Sequence, residues 1–186
     1  VTSFFAISAA IELFKAGIEV VKSFGAAILE AGTSAEKTGA QFDALFSGDS
    51  GVKEWADNFS SAVHRSNTEV KSFLASNKTM YQELGITGQA ANDLSKITTS
   101  LAYDIGSAFK MEDAEALSLI QDYLKGNTEA FTAYGIQINE AALKQSAMAM
   151  GLGSNIEALD EASAAQVRMN ALLENTTELQ QAAAQK

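Results

Sequence analysis

The chain contains no cysteine and no proline, and its 186 residues include only one histidine and one tryptophan. Without cysteine the protein cannot form a disulfide, a thiolate zinc site or a cysteine nucleophile. A single histidine without cysteine supports neither a zinc site nor a Ser-His-Asp triad. Because proline is missing, no helix has to be kinked or stopped by a proline ring.

Basic residues are also scarce, since 13 Lys and Arg stand against 23 Asp and Glu and give a net charge of −10. A dedicated nucleic-acid binder carries a basic patch that releases phosphate counterions, so we expect no specific nucleic acid among the partners. Hydrophobic residues make up 47% of the chain, which argues against disorder throughout. The composition predicts an acidic, all-α protein, and the patterns below predict a multi-helix bundle with long, coiled-coil-like first and last helices.

Residues 2–31 predict one long helix whose apolar positions alternate in steps of three and four, as in a coiled-coil seam. The seam consists of Phe4, Ile7, Ile11, Phe14, Ile18, Val21, Gly25 and Ile28. Four charged residues of alternating sign interrupt the apolar run, which argues against a simple membrane span. We interpret residues 1–32 as an oligomerisation or membrane-proximal segment, with a helix buried in a single domain as the alternative.

Residues 33–157 are predicted to form a compact helical domain with helices at about 33–47, 52–63, 66–84, 88–109, 112–125, 128–134 and 139–150. Gly85-Ile86 and Gly135-Ile136 mark two helix ends, because glycine fits the left-handed position and isoleucine supplies the closing hydrophobic contact. Asp49 is interpreted as a turn residue.

Residues 158–186 are predicted to form a last helix that begins near Asn155 or Asp160 and continues in a longer parent chain. Its heptad stripe is rich in small residues: Ala158, Ala162, Ala165, Met169, Leu172, Thr176, Leu179 and Ala183. The stripe fits either packing within its own domain or a rod.

No segment carries the sequence signature of a known catalytic site, such as HExxH, a Walker loop, GxSxG or an EF-hand loop. The acidic pairs Glu112-Asp113 and Asp160-Glu161 lie near predicted helix starts, where negative charge suits the helix dipole. His64 is interpreted as a solvated residue near a helix end, and Trp55 as a core anchor. The sequence therefore predicts no enzyme, no cofactor, and no catalytic, cofactor-binding or metal-binding residues.

Five segments follow one another in the order found in one protein family, at residues 100–109, 111–117, 124–136, 138–143 and 159–169. Together they resemble the globular region near the start of phage tail tape-measure proteins. The third segment contains a family-like turn, formed by Gly126, Thr128, Glu129, Gly135 and Ile136. Ala130 stands where the family usually has proline, and Asn127 where it usually has an acid.

The resemblance implies a structural protein in the tail of a phage, prophage or phage-like particle. In that family the chain lies in the tail tube, where its length sets the length of the tail, and it is expelled on infection and helps DNA ejection. The implied partners are tail-tube and tail-tip or baseplate proteins, further copies of the chain in a trimer or hexamer, and a membrane on ejection. The implied location is the virion tail, and the host cytoplasm during assembly. A generic helical adaptor and a membrane-active channel segment stay open as alternatives.

Overall fold

The computed structural model of the chain describes residues 38–184, with side chains from Gly39 to Asn175. Over these residues the protein is all-α and has no β-strand. This confirms the fold class predicted from the composition. The predicted helix over 2–31 lies outside the described residues, together with its seam of Phe4, Ile7, Ile11, Phe14, Ile18, Val21, Gly25 and Ile28.

Seven α-helices follow one another in the described part of the chain. They are α1 (Thr38–Leu45), α2 (Ser50–Val63), α3 (Asn67–Glu83), α4 (Gly88–Phe109), α5 (Asp113–Leu124), α6 (Glu140–Ala149) and α7 (Glu161–Ala184). Two short 3-10 helices, Thr132–Tyr134 and Ile156–Ala158, precede α6 and α7. The bounds predicted for α3, α4, α5 and α6 agree with the structure to within one residue at each end.

Side-chain caps explain where several helices begin. Ser66 and Asn139 accept hydrogen bonds at 3.4 and 2.8 Å from backbone N–H groups three residues later, at the starts of α3 and α6. Asp160 accepts one from the Ser163 N–H at 2.7 Å, so α7 begins at the second of its two predicted starts. Because the first N–H groups of a helix have no intrahelical acceptor, each cap stabilises the helix start at its own position.

The central helix of the bundle is α4, in which 15 of 22 residues are buried and against which α3 and α5 pack. Four of its buried residues are serine or threonine. Their hydroxyls donate to backbone carbonyls four residues earlier, at 2.6 to 2.9 Å, and they are Ser95, Thr98, Thr99 and Ser100. Because these donors are satisfied within the helix, they can be buried without a large penalty.

A line of polar side chains, buried at Asn77 and Thr99 and half-buried at Gln121, joins α3, α4 and α5. Gln121 donates to the Asn77 Oδ1 at 3.0 Å, and Asn77 Nδ2 donates to the Thr99 Oγ1 at 3.0 Å. Asn77 is fully buried, and both oxygen and nitrogen of its amide are paired. Such a line favours one register of the three helices, because a shift would leave buried amide groups without partners.

The first half of α7 is part of the same core, since it packs against α6 and α5. Of its predicted stripe, Ala165, Met169 and Leu172 are buried and Ala162 is half-buried. Ala158 is exposed and belongs to the 3-10 helix before α7, so the prediction for this residue was wrong. The remaining stripe positions lie beyond the described side chains, and they are Thr176, Leu179 and Ala183.

The buried surface of α7 is wider than the predicted stripe. Between the stripe positions the helix also buries Ala164, Val167, Ala171 and Leu173. A heptad seam covers a narrow face, whereas a core helix is covered on most sides. Over residues 164–173, α7 is therefore a core helix of this domain.

The short helix predicted at 128–134 was wrong in kind and extent. The structure has successive turns there and a single 3-10 turn at Thr132–Tyr134. The Ala130 N–H donates to Asn127 O at 3.1 Å and the Thr132 N–H to Glu129 O at 3.0 Å. Bonds over three residues instead of four give 3-10 geometry, which is used in short connectors of this kind.

Candidate functional site: the turn between α5 and α6

The family-like turn begins where α5 ends, and glycine closes that helix. The Gly126 N–H donates to Tyr123 O at 3.1 Å, and the Asn127 N–H reaches back to Asp122 O at 3.0 Å. These two bonds form a Schellman motif, which satisfies two of the last carbonyls of the helix. Gly126 has a φ of +124°, a conformation that side chains with a Cβ atom rarely adopt.

The second glycine of the turn closes the 3-10 helix in the same way. Gly135 has a φ of +81°, and the Ile136 N–H donates to Phe131 O at 3.3 Å. The Ile136 side chain is buried. Gly85 and Ile86 close α3 with the same pair of features, a φ of +89° and a bond to Tyr81 O at 2.8 Å. Both predicted glycine–isoleucine closures are therefore present.

Thr128 and Glu129 complete the turn through their backbone. The Thr128 N–H donates to Gly126 O at 3.0 Å, and the Glu129 carbonyl accepts from the 3-10 helix. The Glu129 side chain is exposed and that of Thr128 is half-buried. The two residues thus shape the path of the chain and bring no carboxylate into an enclosed site.

Arg168 of α7 reaches this turn from a distant part of the sequence. Its Nη1 donates to the last carbonyl of α5, Leu124 O, at 3.0 Å. Its Nη2 lies 3.6 Å from the position that a Cβ would occupy at Gly126. Burial lowers the pKa of the Arg168 guanidinium, but an arginine remains charged. A cation at the carboxyl end of a helix is favourable, because unpaired carbonyls make that end negative.

Tyr123 of α5 forms a second hydrogen bond to α7. Its hydroxyl donates to the backbone carbonyl of Arg168 at 2.7 Å, and burial raises the pKa of the Tyr123 phenol. The Tyr123 ring also meets Phe131 edge-on, with ring centroids 5.7 Å apart. Phe109 at the end of α4 packs against Tyr134, at 5.4 Å. Three helices therefore hold the turn in place.

A second polar cluster joins the α2–α3 and α4–α5 turns. Arg65 Nε donates to Asp113 Oδ2 at 2.8 Å, and this bond raises the pKa of the Arg65 guanidinium. Beside them the Tyr103 hydroxyl donates to Glu69 at 2.9 Å. Burial is the larger cause that raises the pKa of the Tyr103 phenol, and the hydrogen bond to Glu69 raises this pKa further. Asp113 thus does more than complement the dipole of α5, and only its position at the helix start could be predicted.

His64 lies at the carboxyl end of α2, where it is exposed in the left-handed conformation with a φ of +55°. This agrees with its interpretation as a solvated residue near a helix end. Trp55 is half-buried and stacks on Phe59 with centroids 4.6 Å apart. It packs at the edge of the core and joins an aromatic row that continues to Tyr103.

Asp49 forms hydrogen bonds to two helices. Its interpretation as a turn residue did not predict these bonds. Its Oδ1 accepts from the Gly51 N–H at 3.0 Å and caps α2, while its Oδ2 accepts from Asn92 Nδ2 of α4 at 3.1 Å. Although partial burial opposes the shift, the hydrogen bond from Asn92 and the charge of Lys96 hold the pKa of Asp49 below its usual value. No local signal reveals Asn92 as the partner.

Among the described residues, no three His, Asp or Glu side chains are grouped closely enough to hold a metal ion. None of the helices in the same region is both long and apolar enough to cross a membrane.

Comparison of the chain with protein-family models, with curated proteins and with solved structures found no match in any of the three. Its function has to be inferred from the residues and their geometry.

Proposed function

We propose that the chain is a segment of a phage tail tape-measure protein, and that residues 38–175 form a compact helical end of it instead of the extended ruler. The role is structural and not enzymatic. The segment lies in the tail tube or at its tip, contacts tube and tip or baseplate proteins, and takes part in DNA ejection.

The observation that carries the proposal is the contact between two segments of the resemblance. Residues 124–136 and 159–169 each contain one of the family-like patterns. Arg168 joins them, because it bonds to Leu124 O and lies beside Gly126, across 44 positions of sequence. The resemblance implies that these segments form one globular region, and a contact between two of them is what that implication requires.

The surface of the described bundle gives further support. Residues 38–175 carry 18 acidic and 9 basic side chains, and Met148 is the one large hydrophobic side chain that is strongly exposed among the described residues. Stable self-association needs a larger apolar patch. In the proposal, the chain forms its trimer or hexamer through the seam in residues 1–32.

Purified tails provide the test of this function. We expect peptide mass spectrometry to find the chain in purified tails, in a small copy number that matches a trimer or hexamer. Gold-labelled antibody against the described domain should decorate one end of opened tails. A chain that is missing from purified tails and recovered only from the host cytoplasm would contradict the proposal and favour a helical adaptor.

The seam is tested separately by light scattering on the full chain in solution. The double variant Ile11→Asp, Ile18→Asp places two charges in the seam, so a trimer or hexamer should become a monomer. The control Glu12→Asp, Glu19→Asp keeps the charges next to the seam and should leave the mass unchanged. A wild-type chain that is already monomeric would show that the seam does not assemble copies.

A further inference from the structure

In the described part of the chain, α1 packs extensively against a single helix, α3. The buried side chains of Phe42 in α1 and of Phe46, the residue just after α1, face two lysines of α3. The ammonium groups of Lys71 and Lys78 lie 5.3 and 4.7 Å from the centroids of these two rings, respectively. Each pair is a cation–π contact, which strengthens when it is removed from water.

Lys78 has a second contact with α1. It is only 7% exposed, and its Nζ donates a hydrogen bond to the carbonyl of Leu45, the last residue of α1. Burial lowers the pKa of the Lys78 ammonium, while the charge of Asp49 opposes that shift. A buried ammonium is unfavourable unless it is paired, and the partners of Lys78 are the Leu45 carbonyl and the Phe46 ring. Docking of α1 and burial of Lys78 are therefore coupled.

The chain just after α1 is fixed independently. Asp49 is bound to Asn92 of α4 and to the start of α2, so the core holds the chain from Asp49 onward. Between Phe46 and Asp49 lie two exposed residues, Ser47 and Gly48. A Cβ at Gly48 would meet no atom within 4 Å. One backbone hydrogen bond, from the Asp49 N–H to Phe46 O at 2.9 Å, spans these two residues, so a pivot at this point has to break that bond.

We propose that α1 is a latch that detaches from the α2–α7 bundle as one unit, pivoting at Ser47 and Gly48, and that the contact of Lys78 with Leu45 and Phe46 holds it closed. When the latch opens, Lys78 returns to water and lies beside Lys71 on an uncovered face of α3. The chain that precedes residue 38 is coupled to the bundle only while the latch is closed. This inference does not depend on a role in a phage tail.

Hydrogen exchange on the full chain tests the latch, because local opening and global unfolding differ in their dependence on denaturant. In the wild type, amides of α1 should exchange faster than those of α4 and with a weaker dependence on denaturant. The variant Lys78→Ala removes a cation–π contact and a hydrogen bond from a charged group, so it should speed exchange in α1 by about tenfold and change α4 by less than about twofold. The control Lys53→Ala removes an exposed lysine of α2 and should change neither helix.

Two results would overturn the latch. One is a wild type in which α1 and α4 exchange with the same denaturant dependence, which would make α1 part of the global unit. The other is a Lys78→Ala variant that speeds both helices equally or neither, which would remove Lys78 from the mechanism. If this variant does not fold, hydrogen exchange of the wild type at several denaturant concentrations still tests whether α1 opens separately from α4, because that measurement needs no substitution.

Discussion

Replacing Arg168 with methionine tests how firmly α7 fixes the turn after α5. Methionine keeps an unbranched apolar stem beside Gly126, but it removes the bond that Arg168 donates to Leu124 O at 3.0 Å. A hydrogen bond from a charged group contributes about 1.5–3 kcal/mol, and a partly buried cation at a helix end up to about 2 kcal/mol. Burial of the guanidinium, which lowers its pKa, offsets part of this. We therefore expect the free energy of unfolding to fall by about 1–2 kcal/mol.

The measurement is urea unfolding of the full chain, followed by helical circular dichroism. The control Lys125→Met removes a positive charge from the same end of α5 without removing a hydrogen bond to the turn. Because Lys125 is exposed, we expect that variant to lose no more than about 0.5 kcal/mol. Equal losses in the two variants, or a loss below about 0.5 kcal/mol for Arg168→Met, would show that the bond from Arg168 to Leu124 O does not stabilise the turn.

Substitutions at three further positions, with one control at Gly48, are measured by the same unfolding experiment. Gly126→Ala should destabilise by about 1–2 kcal/mol because of its positive φ, whereas Gly48→Ala, in open space, should stay within about 0.5 kcal/mol; similar values would argue against strain at Gly126. His64→Gly should stabilise by up to about 1 kcal/mol, since it relieves a left-handed non-glycine residue, and a loss of stability would contradict this. Hydrogen bonds from Ser163 hold the pKa of Asp160 in the folded protein below its ordinary 3.8. The stabilisation that ionised Asp160 gives is therefore fully present above that ordinary value, and it is lost as the pH falls through the lower pKa of the folded protein. Asp160→Asn should therefore flatten the loss of stability in acid, and an unchanged acid profile would show that the cap carries no such contribution.

Local signals in the sequence predicted most of the helix bounds. The start and end of α4 were predicted to the residue, because Gly85-Ile86 closes the preceding helix and α4 itself is a long, unbroken run. The caps at Ser66 and Asn139 could also be recognised from the sequence, since a capping side chain bonds to an N–H only three residues away.

Contacts between distant residues could not be predicted in the same way. Asp49 with Asn92, Arg65 with Asp113 and Arg168 with Leu124 are each more than 40 positions apart. Each side chain alone is typical of a turn, a helix end or a solvated surface, and only the tertiary fold selects its partner. The resemblance drew attention to the two segments that hold Gly126 and Arg168, but not to the bond between α5 and α7.

The stripe of α7 shows a further limit of periodicity. Ala165, Met169 and Leu172 were predicted and are buried, yet Ala164 and Ala171 beside them are buried as well. Alanine has little hydrophobic contrast with polar neighbours, so a helix rich in alanine can be covered on several faces without a clear pattern. The heptad spacing therefore did not reveal that this part of α7 belongs to the core.

In the proposed role the chain is part of a protein that sets tail length, so a change in the length of this chain should change the length of the tail. We would extend the last helix in frame by ten heptads in the parent phage and measure tails by electron microscopy. Since a helix rises about 1.5 Å per residue, 70 added residues should lengthen every tail by about 105 Å. Tails that assemble at unchanged length with the extended chain inside them would contradict the claim.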